Sequence, residues 1–300
     1  MNDETTRAGF VAVIGAPNAG KSTLVNALVG QKVAIVSAKA QTTRARLMGI
    51  AIQDRTQVLL VDTPGIFEPR RRLDRAMVAA AWGGASDADL ILLVVDSADG
   101  LNRDVERIAG SVQKREHPLW IALNKVDLVK KPNLLTLSVA LTERLNPDKV
   151  FMISAAQGDG VKDLKDALTQ AMPEGPWLYP EDEVSDATDR MIAAELTREQ
   201  IFNQLHQELP YASAIETESW EDREDGSTVI HQQIFVERDS QKAIVIGKGG
   251  SRLRTIGEKA RAEISEHLGR KVHLFLHVKV NPRWGDDRAL FEDIGLEWSK

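Results

Sequence analysis

Eight consecutive residues, Gly15, Ala16, Pro17, Asn18, Ala19, Gly20, Lys21 and Ser22, constrain this chain more than any other stretch. They follow the apolar run 10–14 and open the helix-compatible run 23–29 that starts at Thr23, so a G-x-x-x-x-G-K-[ST] spacing falls at a strand-to-helix turn. Such a turn is a phosphate cradle. Glycine admits backbone angles closed to other residues, successive amide N–H groups then point inward around a phosphate, and the helix N-terminus adds a favourable dipole. Lys21 is expected to reach the β- and γ-phosphates of a nucleotide and Ser22 to ligate magnesium. The loop alone does not separate ATP from GTP.

The surrounding pattern is that of an α/β fold. Continuous apolar runs at 58–61, 90–95, 118–123 and 150–153 alternate with helix-spaced apolar positions in 73–85, 103–116, 134–145 and 161–172. Runs without alternation belong to strands covered on both faces, so a doubly wound, mostly parallel sheet is expected, with the ligand at the carboxyl ends of its strands. Residues 173–180 hold three prolines and a glycine, which cannot continue a helix and read as the start of a linker. Beyond it the pattern predicts a helix over 191–208 and strands over 212–220 and 228–236 joined by an Asp225-Gly226 turn. A short strand over 243–246, a helix over 252–267 and a strand over 271–280 follow. The expected domains are 1–172, a linker 173–189, an α+β domain 190–281 and a tail 282–300 containing Trp284 and Trp298.

Four further motifs follow predicted strands in the order a guanine-nucleotide site requires. Asp62, Thr63, Pro64 and Gly65 come first: Asp62 is expected to hold magnesium, and the Gly65 amide to bond the γ-phosphate. Asn124, Lys125 and Asp127 come next. Asp127 can accept from both the ring N–H and the exocyclic amine of guanine, which adenine does not offer, while Asn124 and Lys125 brace the base and the phosphate loop. Ser154, Ala155 and Ala156 close the series, with the Ala155 amide placed to donate to the guanine carbonyl. In the polar segment 39–46, either Thr42 or Thr43 is expected to add a magnesium ligand, and Arg44 and Arg46 to touch solvent or RNA rather than act as arginine fingers. Ile66 stands where signalling GTPases commonly carry a water-orienting glutamine. Slow hydrolysis is expected, resting on Lys21, Ser22, the switch threonine, Gly65 and magnesium.

In the C-terminal part, Gly247, Lys248, Gly249 and Gly250 form a G-x-x-G turn followed by Ser251, Arg252 and Arg254. A glycine-flanked turn lets a phosphodiester backbone approach, and the cations supply charge. Charge is polarised here: residues 205–226 carry seven acids and one base, whereas residues 237–280 carry ten bases and five acids. The overall net charge of -6 hides this basic stretch. In the last strand, Leu274, Leu276, Val278 and Val280 share the face expected to pack on helices. His273, Phe275, His277 and Lys279 share the other, open either to base stacking or to solvent. The remaining histidines, His117, His206, His231 and His267, have no metal-like spacing. The absence of cysteine excludes disulfides and thiolate metal sites. The polar N-terminus lacks a signal-peptide core, and no apolar run is long enough to span a bilayer.

Taken together, the loop 15–22, Gln41-Thr42-Thr43-Arg44, Asp62 to Gly65, Asn124 to Asp127 and Ser154 to Ala156 resemble the Era family of bacterial GTPases, and the second half resembles a type II KH domain. The resemblance covers nearly the whole chain. It implies a GTP hydrolase responsive to potassium, with Asn18 as the candidate ligand. It also implies binding of the 3′ end of 16S ribosomal RNA during maturation of the 30S subunit, a monomeric state, and a cytoplasmic location with peripheral attachment to the inner membrane. The reading in view is a GTP-driven RNA switch; its rival is an RNA chaperone in which GTP is structural and turnover incidental. An RNA-modifying GTPase is disfavoured by the missing cysteine and the lack of a further catalytic domain.

Overall fold

A computed structural model of the chain describes residues 5–37, 39, 42–44, 46–69, 72–86, 88–113, 116–205, 209–288 and 296. Gln41, His206, Glu208 and Trp298 lie outside them. Contacts divide the chain into two compact units: Met1–Ala34 with Thr43–Asp186, and Ile35–Thr42 with Ala187–Lys300.

The first unit runs β1 (Arg7–Gly15), α1 (Lys21–Val29), β2 (Leu47–Gln53), β3 (Thr56–Asp62), α2 (Arg72–Ser86), β4 (Leu90–Asp96), α3 (Arg103–Val112), β5 (Leu119–Asn124), α4 (Lys131–Leu145), β6 (Lys149–Met152) and α5 (Val161–Ala171). The strands form one sheet in the order β2-β3-β1-β4-β5-β6, in which only β2 is antiparallel to its neighbour. Every residue of β3, β4 and β5 is buried, as unalternated apolar runs require. Leu24, Val25, Leu164 and Leu168 cover one face, and Ala81, Ile108 and Leu141 the other. The strand β2 is not marked by any apolar run, because Gly49 interrupts it. That glycine is fixed by packing: a Cβ there would stand 2.8 Å from Val25 and 2.9 Å from Val29.

The segment after α5 is no free tether. Gln57 Oε1 accepts from the N–H groups of Leu178 and Tyr179 at 2.9 and 3.1 Å, Val184 O accepts from Ile50 N at 2.9 Å, and Asp186 Oδ1 accepts from Met48 N at 3.0 Å. The bonds to Ile50 and Met48 occupy the outer edge of β2, those to Gln57 anchor the segment on β3, and together they explain why residues up to Asp186 belong to the first unit.

The second unit contains α6 (Asp189–Gln204), β7 (Ser213–Asp222), β8 (Thr228–Val236), α7 (Asp239–Ile246), α8 (Ser251–Leu268) and β9 (Val272–Val280). Its sheet has the order β7-β8-β9, with β7 antiparallel and β9 parallel to β8. Thr188 caps α6, its hydroxyl accepting from Met191 N at 3.3 Å. That helix ends at Gln204, short of the expected 208.

The strand expected over 243–246 is instead the last turn of α7. The β-branched triplet Ile244-Val245-Ile246 favours a strand locally, but Gln241 caps the helix by accepting from Glu237 N at 2.8 Å and Arg238 N at 3.1 Å. Val245 is then fully buried on the core side while Ile244 is exposed. Leu276, Val278 and Val280 pack into the helix-side core as their alternation predicts, with Leu274 in the adjoining cluster. Within the same unit, residues 36, 39 and 42 are held against α6 and the residue after it: Val36 N–H donates to Glu199 Oε1 at 3.1 Å, Lys39 Nζ to Phe202 O and Leu205 O, and Arg198 Nη2 to Thr42 O. Trp284 is buried, its indole N–H donating to Ala212 O at 3.1 Å, so the start of the tail docks on this unit.

Candidate functional site

The sheet delivers the loop 15–22 and the motifs 62–66, 124–127 and 154–156 to one end, at the carboxyl termini of β1, β3, β5 and β6. Gly20, with φ of 92°, turns the chain into α1. A Cβ on it would lie 2.2 Å from Asn124 Nδ2, so glycine is demanded by both backbone and space. Asn18 is exposed and also left-handed at φ 64°, a conformation asparagine tolerates. Lys21 Nζ donates to Ala16 O at 3.1 Å and Gly15 O at 3.3 Å. Burial pushes its ammonium down to about 8, against the pull of Asp62.

Three oxygen-bearing side chains converge beside it. Ser22 Oγ donates to Asp62 Oδ2 at 2.8 Å, Thr43 Oγ1 donates to the same oxygen at 3.0 Å, and the two hydroxyls stand 2.9 Å apart. Asp62 is fully buried, and its Oδ1 has no protein partner among the described residues. Burial raises its carboxyl above the usual carboxylate range, with Lys21, Ser22 and Thr43 opposing the rise. A buried carboxylate with one unmet oxygen and two neighbouring hydroxyls is a donor set that fits a hard divalent cation. Thr43, and not Thr42, is the threonine brought to it; Thr42 lies on the other side of the unit boundary.

Gly65 sits against the loop, where a Cβ would come within 2.9 Å of Pro17 Cα, and Ile66 N–H donates to Gly15 O at 3.1 Å. The Ile66 side chain is 1% exposed and packs in the core with Ala16 and Ile14. Thr63 is structural, its hydroxyl donating to Val13 O at 2.8 Å. Arg44 is buried, so the expected solvent or RNA contact does not apply to it, whereas Arg46 is exposed.

Asn124 joins two loops: its Nδ2 donates to Ala19 O and its Oδ1 accepts from Ala155 N, both at 2.9 Å. The Ala155 amide expected to serve the base thus braces Asn124 here. Asp127 is exposed in the 3-10 turn Val126–Leu128. Lys125 is held by Asp96 at 2.5 Å, a partner that sequence reasoning missed although it is the one carboxylate closing the apolar run 90–95. Ser154 is buried, its hydroxyl accepting from Gln157 N at 3.3 Å, and Ala156 is exposed.

In the second unit, Gly247 to Gly250 form the turn between α7 and α8. Gly247 has φ of 73°, and a Cβ there would meet the Arg252 Cβ at 2.8 Å. Lys248, Ser251 and Arg254 are exposed. Arg252 is exposed too, but its Nη1 donates to Ile244 O at 2.8 Å, so it ties off α7 as well as adding charge. Between α8 and β9 lies a groove of about 350 Å³ lined by Gly250, Leu253, Arg254, Gly257, Arg261 and Leu276 among others.

A G-x-x-x-x-G-K-S loop, a cluster of oxygen-bearing side chains and an Asn-Lys-x-Asp motif on a doubly wound sheet, followed by a separate α-β-β-α-α-β unit, define a P-loop GTPase with a KH domain. Comparisons agree: residues 10–125 match the 50S ribosome-binding GTPase family and residues 208–285 the KH domain. The chain belongs to the GTPase Era family of P-loop GTP hydrolases. It is 55% identical over 302 residues to GTPase Era of Erythrobacter litoralis, covering 99% of both chains. It is 57% identical over 295 residues to that of Sinorhizobium medicae, covering 98% of this chain and 95% of the relative. Among solved structures, Era in complex with MgGDPNP and nucleotides 1506–1542 of 16S ribosomal RNA is similar at a TM-score of 0.92, with 35% identity across 97% of this chain and 99% of that one. An Aquifex aeolicus Era variant bound to GDP and aluminium fluoride is 36% identical, with the same TM-score and coverage. No described helix is long and apolar enough to cross a membrane.

Proposed function

We propose that the protein couples its nucleotide state to binding of single-stranded RNA at the 3′ end of 16S ribosomal RNA, as a maturation factor of the small subunit. The observation that carries this is the unit boundary between Thr42 and Thr43. Thr43 contributes its hydroxyl to the Asp62 cluster, while the residue before it is held through its carbonyl by Arg198 of α6, in the unit that carries the KH groove. A change in the oxygen cluster is transmitted through one peptide bond. The similarity to Era seen with RNA 1506–1542 supports the choice of RNA.

Ser22, Thr43 and Asp62 would hold magnesium, which when bound neutralises phosphate charge. Lys21 leaves the loop carbonyls for the β- and γ-phosphates, and the amides of 18–22 and of Gly65 cradle them. Asp127 reads guanine, and Asn124 fixes the base loop to the phosphate loop. With Ile66 in the core, no side chain at that position orients the attacking water, so turnover is slow without a further contribution. We assign to exposed Asn18 a monovalent cation, preferably potassium. Gly247 to Gly250, with Lys248 and Arg254, receive the RNA backbone.

Affinity for RNA 1506–1542, measured with a non-hydrolysable GTP analogue and with GDP, tests the coupling. A clear difference is expected; equal affinities refute it, because a ligand shifts only equilibria it engages differentially.

A further inference from the structure

The outward face of the second unit's sheet is not absorbed by this function. The positions alternating away from the core are Val229, His231, Gln233 and Phe235 on β8, of which Val229 and Phe235 are buried, and His273, Phe275, His277 and Lys279 on β9. His231 pairs directly with Phe275, and their rings are stacked 4.8 Å apart at 13°. The His277 ring is parallel to that of His231 within 6° at 6.4 Å. Phe275 closes this row on the sheet edge and is 48% exposed. A single exposed ring is ordinary. A ring already seated on a parallel imidazole, on a strand that forms one wall of a cationic groove, has the build of a stacking platform.

We propose that Phe275, which lines the groove at its exposed outer rim, is a stacking subsite for one unpaired RNA base next to those held deeper in the groove. The inference rests on reading the groove between α8 and β9 as the RNA site. Charge favours nucleic acid over an apolar peptide. The groove wall offers Arg254 and Arg261 against one acid, Glu258, and β9 itself carries Lys279 outward and no acid. The acids of this face, Glu216 and Glu221, sit at outward positions of β7, two strands away. That gradient repels a polyanion from the sheet centre and confines it to the β9 edge, where Phe275 stands. Stacking tolerates any base, so the subsite adds affinity without demanding a sequence.

The test uses full-length protein and fluorescein-labelled tetranucleotide and hexanucleotide RNAs tiled through segment 1506–1542, read by anisotropy. Phe275→Ala is expected to weaken the best hexanucleotide about tenfold while changing the best tetranucleotide by less than about twofold, and Phe275→Trp to restore binding. An abasic nucleotide at the stacked position should reproduce the loss in the parent protein and add nothing to Phe275→Ala. Unchanged GTP hydrolysis and melting temperature report that the variants are folded. Equal effects on both lengths, or none on either, overturn the subsite. Gly249→Asp separates the two readings: if it leaves tetranucleotide affinity intact, the groove assignment itself fails. If it abolishes that affinity while Phe275→Ala shows no length dependence, only the subsite falls.

Discussion

Lys21 carries a prediction that follows from its burial beside Asp62. In the free protein burial pushes its ammonium down to about 8, removal from water outweighing the attraction of Asp62. A triphosphate beside it favours the charged form, which returns its pKa toward the ordinary lysine value of 10.5. Nucleotide binding must then take up a proton wherever free Lys21 is partly neutral. With a free pKa of about 8, the uptake is about 0.1 proton at pH 7 and about 0.75 at pH 8.5. Intrinsic affinity is unaffected, but apparent affinity falls about fourfold over that interval, close to 0.8 kcal/mol. Calorimetry of GTP-analogue binding in buffers of different ionisation enthalpy counts the proton directly. Lys21→Met should abolish the uptake at pH 8.5 while retaining measurable, weaker binding. An uptake near zero at pH 8.5 in the parent protein, or an equal uptake in the methionine variant, refutes the reasoning. Asp62 works in the opposite sense: burial raises its folded pKa, so cation binding releases protons at acidic pH.

Asp127→Asn should exchange guanine for xanthine as the preferred base, shifting relative affinity by about a hundredfold or more in competition binding, since it reverses one donor-acceptor pair. Ile66→Gln should fail to accelerate hydrolysis. Its side chain would enter the core with Ile14 and Ala16, and melting should report a loss of about 2–4 kcal/mol. Gly20→Ala places a Cβ 2.2 Å from Asn124 Nδ2 at a φ of 92°, so GTP binding should be lost and stability should fall by about 1–3 kcal/mol. Asn18→Ala should remove any excess of the hydrolysis rate in potassium over sodium while leaving guanine-nucleotide affinity within about twofold.

The first unit was largely legible because its chemistry sits at the ends of strands too apolar to be anything else. The motifs at 15–22, 62–65 and 124–127 are located by the apolar runs that precede them. What escaped has physical causes. Gly49 broke the run of β2, although that glycine is there to let α1 pack. Residues 243–246 read as a strand because three β-branched residues outweigh, locally, a cap supplied by Gln241. Thr42 and Thr43 are chemically identical neighbours, and only tertiary placement tells them apart. Asp96 needed its contact with Lys125 to become visible. The bonds of Lys39 and Arg198 that tie residues 39 and 42 to α6 end on backbone carbonyls, which every residue possesses and no sequence motif can announce, and the remaining one, from Val36 N–H to the Glu199 carboxylate, depends on tertiary placement.

Asn124 acts as a mechanical joint. With one end of its amide on Ala19 and the other on Ala155, it ties the loop 15–22 to the loop 154–156, the two segments assigned above to the phosphates and the base. A ligand that meets only half of it, such as inorganic triphosphate or free guanosine, must hold the joint without help from its missing half. On the proposed function, the whole nucleotide would be bound more tightly than its parts suggest, and discrimination among bases would be felt at the far end of the molecule, where the bond is cut.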